Sequence, residues 1–364
     1  MTPSSTSSSE ISAGGAPQPP RTFAGGFLSR VVLFFAIVLV ISLGVSRGAG
    51  LAYRPRPLAP SRDLIASCDH FVALFGNSQF EAAIDSQGLA ATLEKPTASV
   101  RAQMFTGGGW HALHYYMLAL LARDGLRRNR DAVVIEVSPT SLNDADQRPV
   151  NVRPEVARQV AGVPGIPVEM QLDVLFGALS PLYRYRLSLR AAVGTALLAP
   201  LNRSTSVLEA LGLVGVPQLV PQFSVVTAPG RNFVIQDVLG DRSAFRRVAR
   251  EKAAESLGRM RIGGFKMAAL ELAVRALRER EIAVVLVVTP TAGWFEDLVP
   301  KGSSVVIRNR LGQLAKSTGA TLLFRWPDAL HDDSRFWDGH HMLATATQGF
   351  TDELARQLRQ VLSW

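Results

Sequence analysis

Cysteine is almost absent from this chain, because Cys68 is the only one in 364 residues. A single cysteine excludes an intrachain disulfide and the paired thiols of a redox motif. The chain therefore fits the cytosol, and it fits equally well an extracytoplasmic domain that is stable without disulfides. We expect Cys68 to be a small buried residue.

The sequence also lacks the usual patterns of nucleic-acid and metal binding. The net charge is +9, yet there is no zinc-finger spacing, no alternation of basic with aromatic residues and no lysine-rich tail, which argues against nucleic acid. His111 and His114 lie three residues apart, but no Glu-x-x-His pattern supports a zinc site. We therefore expect no metal and no cofactor, and the basic charge leaves anionic lipid or acidic glycan as partners.

The N-terminal residues predict a membrane anchor. Residues 1–26 are rich in serine, glycine and proline and read as a disordered tail. Val31–Ser46 carries no charge and is flanked by arginines; as a helix it would rise roughly 24 Å, a little less than a bilayer core. We predict a transmembrane anchor over 27–50 and an extended linker over 51–64. A cleaved signal peptide is the alternative, because small residues follow at 48–52.

The remaining chain predicts an α/β domain over 65–364. Short apolar runs alternate with helical patterns, which is typical of a parallel sheet covered on both faces. The predicted strands are Phe71–Phe75, Ala132–Val137, Ile282–Thr289 and Thr321–Phe324. The predicted helices are Phe80–Leu93, Trp110–Leu121, Leu270–Arg280, Leu311–Thr318 and Thr347–Leu362.

A long insertion separates the second predicted strand from the third. The connection is too long for one helix, so it predicts an inserted cap subdomain at about 145–265. Its apolar part, 173–201, fits a pair of cap helices or a membrane-surface element. Its basic part, 242–266, fits a solvated helix face, or an anion-binding face near the site or the bilayer.

The residues that follow the strands predict a hydrolase-type site. Active residues collect at the carboxyl ends of parallel strands, and Ser78 follows the first strand in the sequence Gly76-Asn77-Ser78. A serine hydroxyl needs an imidazole to take its proton and a carboxylate to orient that imidazole. Asp338-Gly-His-His341 supplies both after the last strand. Without that second motif, Ser78 would read as a turn serine that caps a helix.

With these two motifs the chain resembles the SGNH (GDSL-type) serine hydrolases over about 65–145 and 265–364. The resemblance implies a flavodoxin-like, three-layer α/β sandwich with a parallel sheet, here with the long inserted cap and the N-terminal transmembrane helix. It implies Ser78 as nucleophile, Asp338 as orienting acid and His341, rather than its solvent-facing neighbour His340, as base. Asn77 stands where aspartate is usual.

The same resemblance concerns the oxyanion donors. It implies that the backbone N–H groups of Ser78 and of a glycine bind the oxyanion. The run 107–109 offers Gly108 as that glycine; the alternative is that this run only makes a tight entry to the next helix. The third block, Gly-x-Asn, is absent, and Ser138-Pro139 stands in its place. That leaves Ser138 or Asn143 to supply the remaining donor, whose loss typically costs about 100- to 1,000-fold in rate.

With its predicted anchor and long insertion, the chain resembles the D-alanyl transfer protein of teichoic acid operons and the alginate and cellulose O-acetylation proteins. This implies an acyltransferase or acylesterase that takes an acyl donor and a polysaccharide acceptor, with a membrane-bound O-acyltransferase as partner. It places the domain in the periplasm on the inner membrane, although the arginines that follow the apolar segment outnumber those before it and favour the cytoplasm. The alternatives are a non-catalytic membrane scaffold with the same fold and a plain esterase.

Overall fold

The computed structural model describes residues 59–148, 150, 152–179, 225–228, 231–235 and 243–362. The predicted tail and anchor, and most of the linker, lie outside these residues. Among the described helices, none has the length and apolar character needed to cross a membrane.

A five-stranded parallel sheet forms the centre of the domain. Its strands are β1 (His70–Asn77), β2 (Val100–Gly107), β3 (Ala132–Val137), β6 (Ala283–Val288) and β7 (Thr321–Leu323). Their order across the sheet is β2-β1-β3-β6-β7. Numbered within the sheet alone this is 2-1-3-4-5, the flavodoxin-like order. The predicted α/β class and parallel sheet are therefore confirmed.

Helices cover both faces of the sheet. The described α-helices are α1 (Arg62–Ala66), α2 (Ser78–Ala83), α3 (Ser86–Leu93), α4 (Ala112–Ala122), α5 (Ala157–Ala161), α6 (Val168–Leu179), α7 (Ser243–Gly258), α8 (Phe265–Arg278), α9 (Gly293–Leu298), α10 (Lys301–Thr318) and α11 (Ala344–Val361). Strand β1 shows why two layers form: Phe71, Ala73 and Phe75 enter one apolar cluster, and Val72 and Leu74 enter the other. The alternation follows from the two-residue period of a strand.

Strand β2 and the helix expected at Phe80–Leu93 differ from the sequence prediction. Strand β2 was not predicted, because this edge strand contains Arg101 and Gln103 and lacks a continuous apolar run. The single helix expected at Phe80–Leu93 is two helices. The chain is extended at Ile84, and Asp85 then begins α3 by accepting a hydrogen bond from the Gln87 N–H at 3.1 Å.

The insertion is tied together at its base. The Asp144 carboxylate accepts hydrogen bonds from the backbone N–H groups of Gly264 (2.7 Å) and Lys266 (2.9 Å). Asn143 Oδ1 accepts from the N–H of Arg261 at 3.0 Å. The chain therefore leaves and re-enters the sandwich at one point. Two elements of the insertion return toward the nucleophile: strand β5 (Arg231–Ile235), paired antiparallel with β4 (Val225–Ala228), lies beside α2, and α7 lies beside α9.

Candidate active site

Ser78 is the first residue of α2, directly after β1. Asn77 begins this helix, since its Oδ1 accepts hydrogen bonds from the N–H groups of Gln79 (2.8 Å) and Phe80 (3.4 Å). Gly76 is required by packing, because a Cβ there would lie 2.5 Å from Phe80 Cδ1. Gly76 and Asn77 therefore shape a tight strand-to-helix turn that holds Ser78 at the carboxyl edge of the sheet.

The histidine motif occupies a constrained loop before α11. Phe336 and Met342 form an antiparallel bridge at its base. Gly339 has a φ of +90°, and a Cβ there would lie 2.4 Å from the Trp294 ring, so only glycine fits. The Gly339 carbonyl accepts from the N–H of Ala292 at 2.8 Å, which joins the loop to the residues after β6.

The loop brings Asp338 and His341 to Ser78. His341 Nε2 lies 2.9 Å from Ser78 Oγ, and His341 Nδ1 lies 2.8 Å from Asp338 Oδ2. The other oxygen, Asp338 Oδ1, accepts from the backbone N–H of His341 at 2.9 Å. All three residues predicted to be catalytic thus stand in one hydrogen-bonded chain, although 263 residues separate Ser78 from His341.

The charge of Asp338 selects the reactive tautomer of His341. Burial alone would raise the pKa of this carboxyl, but the rings of His340 and His341 and the hydrogen bonds from His341 together lower its pKa below the ordinary value. Asp338 is therefore ionised and only accepts hydrogen bonds. Nδ1 of His341 must then carry the hydrogen, which leaves Nε2 to accept from Ser78. This is the arrangement of a general base beside a nucleophile.

His340 is not the solvent-facing neighbour that the sequence predicts. Its side chain is 25% exposed, and its ring packs against Phe295 with the centroids 5.1 Å apart. Burial lowers the pKa of His340 to about 4, with the neighbouring His341 acting in the same direction and Asp338 opposing it. A neutral imidazole thus lies beside His341 in the cavity lining at neutral pH.

A cavity of about 450 Å³ opens over Ser78. One wall is α7, which contributes residues spaced as one helix face: Val248, Ala249, Lys252, Ala253, Ser256 and Leu257. Leu257 is 1% exposed and fixes α7 to the apolar cluster that contains Phe295. Trp110 and Arg148 line the cavity as well. Lys252, from the basic segment 242–266, is exposed and lies at this cavity.

The structure places the predicted oxyanion residues unevenly. The Ser78 N–H is at the first turn of α2, where helices have unpaired donors. Gly108 is exposed and does not line the cavity, whereas its neighbour Gly109 does. Asn143 Oδ1 instead accepts from Ala145 and Arg261 at the base of the insertion.

Thr140 occupies the place of the missing third block. It follows β3 and lines the cavity, and its Oγ1 lies 3.0 Å from Ser138 Oγ. Ser138 itself is 1% exposed, and its N–H and carbonyl are hydrogen-bonded to Ser141 Oγ. The hydroxyl of Thr140 is therefore the side-chain donor after β3 that faces the cavity, which sequence reasoning missed because threonine carries no motif of its own.

One group of side chains in the described residues could hold a metal ion. Ligand atoms of Asp338, His340 and His341 lie within 4.8 Å of one another. A metal bound there would take Nδ1 or Nε2 of His341 and would break the chain to Ser78. His111 and His114 do not join this group; their ring centroids are 4.6 Å apart at the start of α4.

Several buried groups outside the triad make stability depend on pH. Burial lowers the pKa of His111 to about 3 and holds that of His114 well below its ordinary value, so these residues and His340 stay neutral when folded. An unfolded chain would protonate them below about pH 6.5. Burial raises the pKa of Glu136 to about 7, which acts with the opposite sign between about pH 4.5 and 7. Stability should therefore fall as the pH drops from 6.5.

No protein-family model matches the chain, and no curated protein matches it at a significant level. The fold and the geometry around Ser78 are thus the basis for assigning a function.

Proposed function

We propose that this protein is a membrane-anchored, SGNH-like O-acyltransferase or acylesterase that acts on a cell-surface or exopolysaccharide polymer. The observation that carries the proposal is the continuous chain from Ser78 Oγ through His341 (2.9 Å) to Asp338 (2.8 Å). A turn serine that merely caps a helix needs neither partner. Here Asn77 performs the capping, which leaves the Ser78 hydroxyl to His341.

The chemistry proceeds in two balanced halves. Ser78 Oγ attacks the acyl carbonyl of the donor while His341 Nε2 takes the hydroxyl proton. The bond to the leaving oxygen then breaks, and His341 returns the proton to that oxygen, which leaves an acyl-serine ester. In the second half a polymer hydroxyl or water attacks this ester, His341 takes the proton of the attacking group, and Ser78 recovers it as the product leaves.

The proposed setting follows from the sequence resemblance. The domain lies on the periplasmic side of the inner membrane, held by the segment 27–50. A membrane-bound O-acyltransferase supplies the acyl group, and Ser78 passes it to the polymer. The second candidate is a non-catalytic scaffold that binds the same partner. It is favoured by one observation, namely that neither Gly108 nor Asn143 completes an oxyanion hole.

A fluorophosphonate probe distinguishes the two candidates, because it reacts only with an activated serine. We expect the full chain in nonionic detergent to be labelled, the Ser78→Ala variant to be unlabelled, and a Ser304→Ala control in α10 to be labelled like wild type. Polymer acetylation in cells should be lost with Ser78→Ala. Absence of labelling in folded wild-type protein would refute the acyl-serine mechanism and leave the scaffold.

A further inference from the structure

We propose that the cavity over Ser78 binds an anionic acceptor glycan, with Lys252 and Arg148 as the residues that bind its acidic groups. The inference rests on the proposed function and names the class of acceptor. Lys252 comes from α7 in the insertion, and Arg148 comes from the segment after β3. Both line the same cavity as Ser78, so two unrelated parts of the chain direct cations at one space.

Cationic side chains outnumber carboxylates among the lining residues of the cavity. Asp338 is the one carboxylate among its lining residues, and it is bound to His341. Lys252 is exposed on α7. No ion pair involving it is found among the described residues. It is thus available to a ligand.

Arg148 retains a donor of its own. Its Nε lies 2.9 and 2.7 Å from the two carboxylate oxygens of Asp146, and its Nη2 also donates to that carboxylate. Its Nη1 instead lies beside Gly109, where a Cβ would come within 2.2 Å of it. The Arg148 side chain is 54% exposed. Gly109 thus gives the guanidinium room at the wall of the cavity.

Asp146 interacts with two cations, with Arg148 through hydrogen bonds and with Lys266 through space. Burial raises the pKa of Asp146, but the hydrogen bonds from Arg148 and the charges of the fully buried Lys266 and of Arg148 together lower it below the ordinary value. Burial lowers the pKa of Lys266 itself to about 8, so it remains protonated at pH 7. Asp144 acts on Lys266 as well, so two carboxylates offset the two cations at this wall. Among the described residues that line the cavity, Lys252 is the uncompensated cation, and together with Arg148 Nη1 it can attract anions into this partly enclosed cleft.

The remaining lining suits a sugar chain. Trp110 is half-buried and lines the cavity, and most ligand sites combine such aromatic surface with a few placed polar groups. The volume of about 450 Å³ exceeds what a two-carbon acyl group needs and leaves room for part of an acceptor. Carboxylate and phosphate share the anionic chemistry that lysine and arginine recognise.

The test measures binding without catalysis. Full-length Ser78→Ala protein in nonionic detergent is titrated by calorimetry with oligogalacturonate, its methyl ester, and a glycerol-phosphate oligomer. We expect one of the two anionic oligomers to bind at least about tenfold more tightly than the neutral ester, with affinity falling as salt rises. The stronger of the two identifies the anion as carboxylate or phosphate. Equal binding of the neutral ester, or no binding of any oligomer, would overturn the proposal.

Variants connect the binding to the named residues. Lys252→Met in the same background should weaken anionic binding by about tenfold, and Lys252→Glu should remove the preference for the anion. Arg148→Gln should act in the same direction. Lys316→Met, on the exposed side of α10, is the matched control and should change nothing. If Lys252→Met binds like the parent, the assignment fails. Fluorophosphonate labelling of wild type is measured separately and tests only the catalytic proposal. Failure of that proposal can therefore be distinguished from failure of this one.

Discussion

The Asp338→Asn substitution should nearly abolish acylation while keeping the loop intact. Asp338 Oδ1 accepts from the backbone N–H of His341 at 2.9 Å, so in the variant the amide oxygen should remain on that side. The amide nitrogen then replaces Oδ2 and donates to His341 Nδ1. His341 is driven into the tautomer that carries its hydrogen on Nε2, which cannot take a proton from Ser78.

The size of the effect follows from two losses. A hydrogen bond to a charged acceptor is worth about 1.5–3 kcal/mol. The attraction between Asp338 and the imidazolium that forms during reaction adds about 4 kcal/mol at a separation near 4 Å and an effective dielectric constant near 20. Together they approach about 6 kcal/mol, or about 10⁴-fold in rate. A triad carboxylate replaced by its amide loses a similar factor elsewhere.

The assay is the burst of nitrophenol released from nitrophenyl acetate, followed by stopped flow. Asp338→Asn is compared with Asp333→Asn, an exposed residue in the short helix just before the loop. The control should react like wild type, and unfolding in urea should show that both variants are folded. A burst rate for Asp338→Asn within tenfold of wild type would mean that Asp338 does not orient His341, and the relay would be refuted.

Three further outcomes are expected. Thr140→Val should lower kcat for nitrophenyl acetate by about 100-fold with little change in KM, because it removes a donor to the oxyanion; an unchanged kcat would exclude this role. Gly339→Ala should cost about 2 kcal/mol or more in urea unfolding, because of its positive φ and the ring beside it, whereas Gly302→Ala, with open space around it, should be neutral or stabilising. Between pH 6 and 5 the unfolding free energy should fall by about 2.7 kcal/mol. The unfolded chain binds roughly two more protons than the folded one, because three histidines stay neutral and one glutamate stays protonated in the fold. His111→Gln should make this slope shallower and Glu136→Gln should make it steeper, each by about 1.4 kcal/mol per pH unit.

The central strands and the triad were readable from the sequence because local signals agree with the fold there. Ala132–Val137 is buried on both faces, and its unbroken apolar run shows this directly. Ser78 directly follows β1, and Asp338 and His341 come after the last strand, β7, so topology brings them to one edge of the sheet. The three-residue spacing between Asp338 and His341 also lets the carboxylate reach His341 Nδ1 across the turn.

Features that depend on distant packing were not readable. The edge strand β2 forms because it pairs with β1, and its own composition does not indicate a strand. His340 was expected at the surface because nothing nearby in sequence indicates that Phe295 covers it. Asn143 was considered for the oxyanion hole, but its partner Arg261 lies 118 residues away. The position of α7 at the cavity depends on the path of the insertion, which sequence patterns do not predict.

The separation of Ser78 from His341 has a consequence for synthesis of the protein. A ribosome that adds about 5–20 residues per second makes His341 roughly 13 to 53 seconds after Ser78. Throughout that interval the serine is an ordinary, unactivated hydroxyl, since neither its base nor its carboxylate exists yet. The nascent chain can therefore pass donors and esters without being acylated, and reactivity begins only when the last part of the domain closes over the sheet.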